Sequence, residues 1–210
     1  MSQNPDESSK AAAPVPGPGT KADVRRTVRR ERRRRAAVGH LDTDLTDAHR
    51  LARSAADVAG LVPGVECIGA YLAAPGEPDP AEAIAAWHAA GLRVLLPVSG
   101  RDRVLEWVEW TPSVRVAQGK NAPVPEPVGA QPAQPADLDL VVVPALQVGH
   151  DGTRLGQGGG YYDTFLAAYP QLPTVACVFA DEVVAAVPSD PWDATLDAVW
   201  TEEGVRHLPL

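Results

Sequence analysis

C-I-G-A-Y-L-A-A-P-G-E-P-D-P-A-E-A-I-A-A-W-H-A-A-G-L-R-V-L-L-P, residues 67 to 97, sets two apolar runs on either side of a helix-forming segment. Cys67 to Leu72 carries no charge and ends at a cluster of prolines and a glycine, which predicts a short buried strand. Asp79 as N-cap, Pro80 at the first helical position and Glu82 completing a capping box predict a helix that Gly91 closes. Leu92 to Pro97 then predicts a second buried strand. Strand, helix and strand within about thirty residues form a βαβ unit, whose right-handed crossover makes the strands parallel. Parallel strands need cover on both faces, so further helices are expected on either side.

Working outward, Val104 to Trp110 alternates charge with apolar bulk and predicts an exposed strand, antiparallel at an edge. Trp107 and Trp110 there serve packing or line a groove. Residues 111 to 137 hold six prolines and predict a long irregular excursion of the kind used as a lid or binding loop. Leu138 to Val143 predicts a buried strand stopped by Pro144. Beyond it the pattern predicts a helix from Tyr161 to Tyr169, a strand from Thr174 to Phe179, a short helix from Asp181 to Ala186 and a last strand from Asp197 to Trp200. Upstream, apolar spacing predicts one helix from Thr46 to Gly60, ended by Pro63-Gly64. The whole is a three-layer α/β/α sandwich around a mainly parallel or mixed six-stranded sheet. Residues 1 to 19, rich in Pro, Gly, Ser and Ala, are expected to be a disordered tail, leaving 20 to 210 as a single domain.

The chain of 210 residues is 45% hydrophobic and 22% charged, ordinary for a globular protein. It has no membrane-length apolar run and no signal-peptide pattern, so a cytoplasmic location is expected. Cys67 and Cys177 each sit in an apolar run and read as small buried hydrophobes. The formal net charge is −8, yet residues 1 to 40 hold ten Lys/Arg against four Asp/Glu, a local +6 that leaves −14 on the remainder. An acidic body argues against nucleic acid as a general partner, while a basic strip can meet a phosphorylated small molecule. That strip predicts a helix from Thr20, its N-cap, with Val24 and Val28 as a narrow apolar stripe. Lys21 and Arg25, spaced i, i+4, share a face and could both reach one phosphate, or could simply be solvated.

Glycines are densest in D-G-T-R-L-G-Q-G-G-G-Y-Y-D-T-F-L, residues 151 to 166. Such a loop before a helix lets N–H groups converge on an anion. It is not a Walker loop, since no Lys-Ser or Lys-Thr follows at that spacing, and not a dinucleotide fingerprint, since Tyr161 stands where the third glycine belongs. Arg154 supplies a planar cation, and Asp163 just inside the helix is a hard ligand for magnesium, which takes only one or two protein carboxylates beside polyphosphate oxygens. Glu77, in a Pro/Gly loop at the carboxyl end of a strand, sits where α/β sheets collect ligand-binding groups, or is a plain surface carboxylate.

V-V-V-P-A-L at 141 to 146 followed by this loop closely resembles the signature of the 5-formyltetrahydrofolate cyclo-ligase family, also called 5,10-methenyltetrahydrofolate synthetase. The resemblance runs from about residue 20 to 204. Lys21 and Arg25 match the family's N-terminal Lys-x-x-x-Arg; Tyr71, Leu72 and Glu77 match its folate segment; Glu126-Pro127 match its Glu-Pro dipeptide. W-D-A-T-L-D-A-V-W-T-E, from residue 192, looks like its stretch bearing a second magnesium carboxylate, here Asp193. The resemblance implies a fold like that of the sugar-phosphate isomerase and CoA-transferase group. It implies ATP-driven closure of 5-formyltetrahydrofolate to the methenyl form with release of ADP and phosphate, by a monomer using magnesium. It assigns Lys21, Arg25, Arg154, Leu155, Gly156, Gln157, Gly158, Gly159, Gly160, Tyr161 and Tyr162 to ATP, with Arg154 catalytic. Leu72, Glu77 and Tyr161 go to the folate, and Asp163 and Asp193 to the metal. The sequence departs from the pattern at Gln157, Thr164 and Trp192. The alternatives are a relative that binds without catalysing, or an arginine-rich nucleic-acid adaptor using residues 25 to 35.

Overall fold

The computed structural model describes residues 19–38, 46–190 and 193–209. The expected tail and Trp192 lie outside these residues, apart from Gly19, which leads directly into the first helix.

The elements run α1 (Lys21–Val38), α2 (Asp47–Arg53), α3 (Ala55–Gly60), β1 (Cys67–Gly69), α4 (Ala81–Ala89), β2 (Arg93–Ser99), β3 (Leu105–Glu109), β4 (Arg115–Gln118), β5 (Pro125–Val128), β6 (Pro132–Ala133), β7 (Leu140–Pro144), β8 (Gln147–Gly149), β9 (Arg154–Leu155), α5 (Tyr161–Ala168), β10 (Thr174–Cys177), β11 (Val183–Val184), β12 (Ala198–Thr201) and β13 (Gly204–His207). The main sheet has eight strands, ordered β13-β12-β10-β7-β1-β2-β3-β6. β12, β10, β7, β1 and β2 are parallel, and β13, β3 and β6 join antiparallel at the two edges. The sheet is therefore mixed as expected, but with two more strands than the six expected; β6 and β13 are too short and polar to register as apolar runs.

Strand alternation divides the core. Leu140 and Val142 of β7 face one side, where Leu51, Val58, Ile84 and Trp87 of α2, α3 and α4 cover them. Val141 and Val143 face the other, against Trp107 of β3 and Phe165 and Leu166 of α5. Cys67 and Cys177 belong to opposite clusters, both free and buried. Burial pushes their thiols up to about 11 and about 12, so neither is a reactive nucleophile.

Several local expectations are corrected. The single helix over 46 to 60 is two, broken at Ser54 (φ −105°, ψ 14°), whose hydroxyl donates to the Leu51 carbonyl and accepts from Trp200 Nε1 at 2.9 Å. Thr46 caps the first of them, α2, accepting from the His49 N–H. Pro80, rather than Asp79, is the N-cap of α4; Asp79 Oδ1 accepts from the Ala81 N–H at 3.0 Å, and Glu82 makes no capping box and instead meets His49 Nδ1 at 2.8 Å. The 111 to 137 excursion is not irregular: β4 and β5 form a hairpin, and β6 extends the main sheet. Prolines two residues apart remove N–H groups from one edge of β5 only, so Pro125 and Pro127 leave the other edge free to pair. The short helix expected over 181 to 186 is a single turn at Ala180–Glu182 followed by β11. β11 pairs with β8, and β8 with β9, in a small three-stranded sheet that carries Arg154.

Candidate active site

The glycine loop leaves β9 and enters α5. Gly158 (φ 96°) and Gly160 (φ 77°) take left-handed backbone conformations that favour glycine, and Gly160 is the N-cap of α5. Among the described residues, the N–H groups of Gly158, Gly159 and Gly160 donate to no carbonyl or side chain. With the first turn of α5 they form a set of free donors at the positive end of a helix.

Gly156 is glycine for a different reason. A Cβ there would lie 2.9 Å from Arg154 Nη1, so the Arg154 guanidinium packs directly on its backbone. From the other side Arg25 Nε donates to the Gly156 carbonyl at 2.9 Å. Arg154 is itself buried, donates to the Pro144 carbonyl at 3.1 Å and pairs with Asp163.

The loop closes a cleft of about 480 Å³ at the carboxyl ends of β1, β2 and β7. Leu72 and Glu77, from the loop after β1, line the same cleft as Arg154, Asp163, Tyr161 and Tyr162. Glu77 Oε2 accepts from the Ala74 N–H at 3.0 Å and Oε1 from Gln157 Nε2 at 2.8 Å. Oε1 also lies 3.9 Å from Arg32 Nη1. Tyr161 is tied by its hydroxyl to the Gly100 carbonyl at 3.2 Å. Burial pushes the Tyr162 hydroxyl well above its ordinary range, and it has no partner among the described residues.

Lys21 and Asp193 lie beside this cleft rather than in its lining. Lys21 Nζ meets Asp190 and Asp193, each at 2.5 Å. Burial would raise the Asp193 carboxyl, but hydrogen bonds from Lys21 and the Asp190 N–H, with the charges of Lys21 and Arg154, hold it below the usual carboxylate range. Lys21 rises above its ordinary value: burial would lower it, and its two acidic partners prevail. Lys21 and Arg25 thus share a helix face but serve different partners. Among the described residues no three or more His, Cys, Asp or Glu converge as a metal cage. Asp163 pairs with Arg154, and Asp193 shares Lys21 with Asp190, so both carboxylates already have cation partners.

Three contributions were not legible as site residues in the sequence. Arg29 donates to the carbonyl and side-chain oxygen of Gln157 at 2.6 and 3.0 Å; it is the next step of the i, i+4 ladder that picked out Lys21 and Arg25. Glu126 accepts from the Ser99 N–H at 2.9 Å, and Asn121 donates to the Ser99 carbonyl at 2.7 Å. These two bonds hold the proline hairpin on the end of β2, so that Ala122 to Glu126 wall the cleft. No periodicity in the hairpin sequence signals that contact. Thr164, one of the departures, is exposed on α5.

A three-layer α/β/α protein with a glycine loop of free N–H groups and a largely apolar cleft at its strand ends is, by class, a small-molecule-binding protein whose ligand carries an anionic part. The sequence model of the 5-formyltetrahydrofolate cyclo-ligase family matches residues 19–202. The 5-formyltetrahydrofolate cyclo-ligase of Mycolicibacterium smegmatis is 31% identical over 150 residues, 69% of this chain and 77% of that one. The enzyme of that name from Escherichia coli K12 is 29% identical over 144 residues, 66% of this chain and 79% of that one. The chain belongs to the 5-formyltetrahydrofolate cyclo-ligase family. In fold it is similar to the Aquifex aeolicus 5,10-methenyltetrahydrofolate synthetase, with a TM-score of 0.67 at 23% identity over 90% of this chain and 93% of that one. The Mycoplasma pneumoniae 5,10-methenyltetrahydrofolate synthetase gives 0.63 at 19% identity over 87% and 98%.

Proposed function

We propose that this protein cyclises 5-formyltetrahydrofolate to 5,10-methenyltetrahydrofolate, converting ATP to ADP and phosphate. One observation carries the reading beyond family membership: the free N–H groups and Arg154 of the glycine loop line the same cleft as Leu72, Glu77 and Tyr161. A polyphosphate on the loop and a pterin against Glu77 would then meet with their reacting groups inside one enclosure.

The chemistry needs positioning and charge compensation more than a nucleophilic side chain. The formyl oxygen attacks the γ-phosphorus and the bond to the β-phosphate oxygen breaks, so ADP leaves. N10 then attacks the phosphorylated formyl carbon, loses its proton, and phosphate departs as the methenyl bridge forms. Arg154, fixed by Pro144, Asp163 and Gly156, holds positive charge beside the transferring group. Arg25 and Lys21 steady the phosphate loop and its flank, and the amides of Gly158 to Gly160 with the first turn of α5 supply donors. Glu77 accepts from the pterin's amino and ring N–H groups, and Leu72 covers the ring. Magnesium held by Asp163 and Asp193 would neutralise polyphosphate charge. The magnesium requirement and a monomeric working state are part of this reading.

Purified protein mixed with 5-formyltetrahydrofolate, ATP and magnesium should develop methenyl-folate absorbance, and none when either substrate is omitted. Absence of product at high protein concentration contradicts the proposal.

A further inference from the structure

The Gln157 side chain belongs to the phosphate loop by sequence, yet it does not face the free N–H groups. Its Nε2 donates to Glu77 Oε1 at 2.8 Å, while its Oε1 and its carbonyl accept from Arg29 at 3.0 and 2.6 Å. Each polar end of the amide is thus taken by a different segment: α1 on one side and the loop after β1 on the other. Arg32 reinforces the same junction. It is buried, bonded to Glu182 and the Ala145 carbonyl, and its Nη1 stands 3.9 Å from Glu77 Oε1 without a hydrogen-bond partner among the described residues.

From this chain of contacts we infer that Gln157 is a positioning residue that couples the two substrate sites: nucleotide bound on the loop holds the Gln157 amide against Glu77 and so fixes the carboxylate that receives the folate. The inference rests on the function proposed above. Gly158, the next residue, takes a left-handed conformation beside the Arg25 guanidinium, so an anion drawn onto the loop acts within one residue of this amide. A ligand changes a second site only through a group that differs between the bound and free states, and Gln157 joins the two through its backbone, which belongs to the loop, and its side chain, which reaches Glu77. Coupling is reciprocal, so folate should tighten nucleotide to the same degree.

The test measures 5-formyltetrahydrofolate binding by calorimetry, alone and with a non-hydrolysable ATP analogue and magnesium, for the wild type, Gln157→Leu and Gln157→Glu. The wild type should bind folate roughly tenfold more tightly with the analogue present, the scale of one hydrogen bond to a charged group. Gln157→Leu should bind folate more weakly and lose most of that enhancement, and in turnover its KM for folate should rise by more than its kcat falls. Gln157→Glu keeps an acceptor for Arg29 but sets a carboxylate against Glu77, so it should bind folate worst of the three. A role confined to holding the loop on α1 would rank the glutamate variant above the leucine variant. That ranking, or a Gln157→Leu protein with wild-type enhancement, overturns the coupling while leaving the proposed function intact. A wild type that binds no 5-formyltetrahydrofolate overturns both.

Discussion

Arg154 reaches the Pro144 carbonyl, pairs with Asp163 and lies on the backbone of Gly156. A cation held this rigidly stabilises charge without rearranging as it develops. Arg154→Ala should therefore lower turnover by about 100-fold or more, the usual cost of a lost transition-state charge contact, with folate binding largely kept; an unchanged rate would remove Arg154 from the mechanism. Gly156→Ala tests the same geometry indirectly, because its Cβ would stand 2.9 Å from Nη1 and push the guanidinium away. Turnover should fall about tenfold or more by the same reasoning, with circular dichroism unchanged. Asp193 gives a pH test. Its carboxyl is held below the ordinary value of 3.8 in the folded state, so its contribution to stability is full above about pH 4 and is lost as pH falls through the depressed value. Asp193→Asn should flatten acid unfolding in that window; an unaltered slope would show that the Lys21 pair does not matter to the fold. At this scale the sequence displayed Arg154 and the glycines plainly, because charge and backbone freedom are written in residue type. It could not display that Gln157 turns toward Glu77, since that depends on two segments distant in the chain.

At the scale of elements, α1 explains both what hydrophobic spacing revealed and what it hid. Lys21, Val24, Arg25, Val28, Arg32 and Arg35 recur at helical spacing and face inward, but four of the six are cations. A reading by apolar period finds only the two valines and leaves the arginines looking solvated. In the fold they reach the loops after β7 and β10: Arg32 meets Glu182 twice at 2.7 Å, and Arg35 meets Asp181 at 2.6 Å while its guanidinium stacks 4.1 Å from the centre of the Phe179 ring. Removing one partner of a buried pair leaves an uncompensated charge. Arg32→Met should cost about 3–5 kcal/mol in equilibrium urea unfolding, and Arg32→Met combined with Glu182→Met considerably less. Equal losses in the single and double variants would mean that the pair is not coupled. The proline hairpin is the second element that sequence alone misjudged. Its strands survive their prolines because the missing N–H groups lie on one edge, and it is fastened by Asn121 and Glu126 to Ser99.

For the molecule as a whole, the βαβ unit at residues 67 to 97 and the apolar run of β7 were sufficient to predict a covered, largely parallel sheet, because buried parallel strands leave continuous apolar runs. The short strands β6, β8, β9, β11 and β13 were invisible for the opposite reason: two to four residues carry too little periodicity. The cleft combines both kinds of segment. Its floor comes from the ends of legible strands, while the small sheet that sets Arg154 and the hairpin that forms one wall were found only in three dimensions. In the proposed function this single cleft holds both substrates and transfers phosphate from one to the other. Its most direct measurement is a single-turnover reaction of enzyme with ATP, magnesium and 5-formyltetrahydrofolate in which ADP and methenyl product are quantified together. The two should form in equal amounts, and neither without the other substrate. ADP released at the same rate in the absence of the folate, or folate bound with no ADP formed, would contradict it.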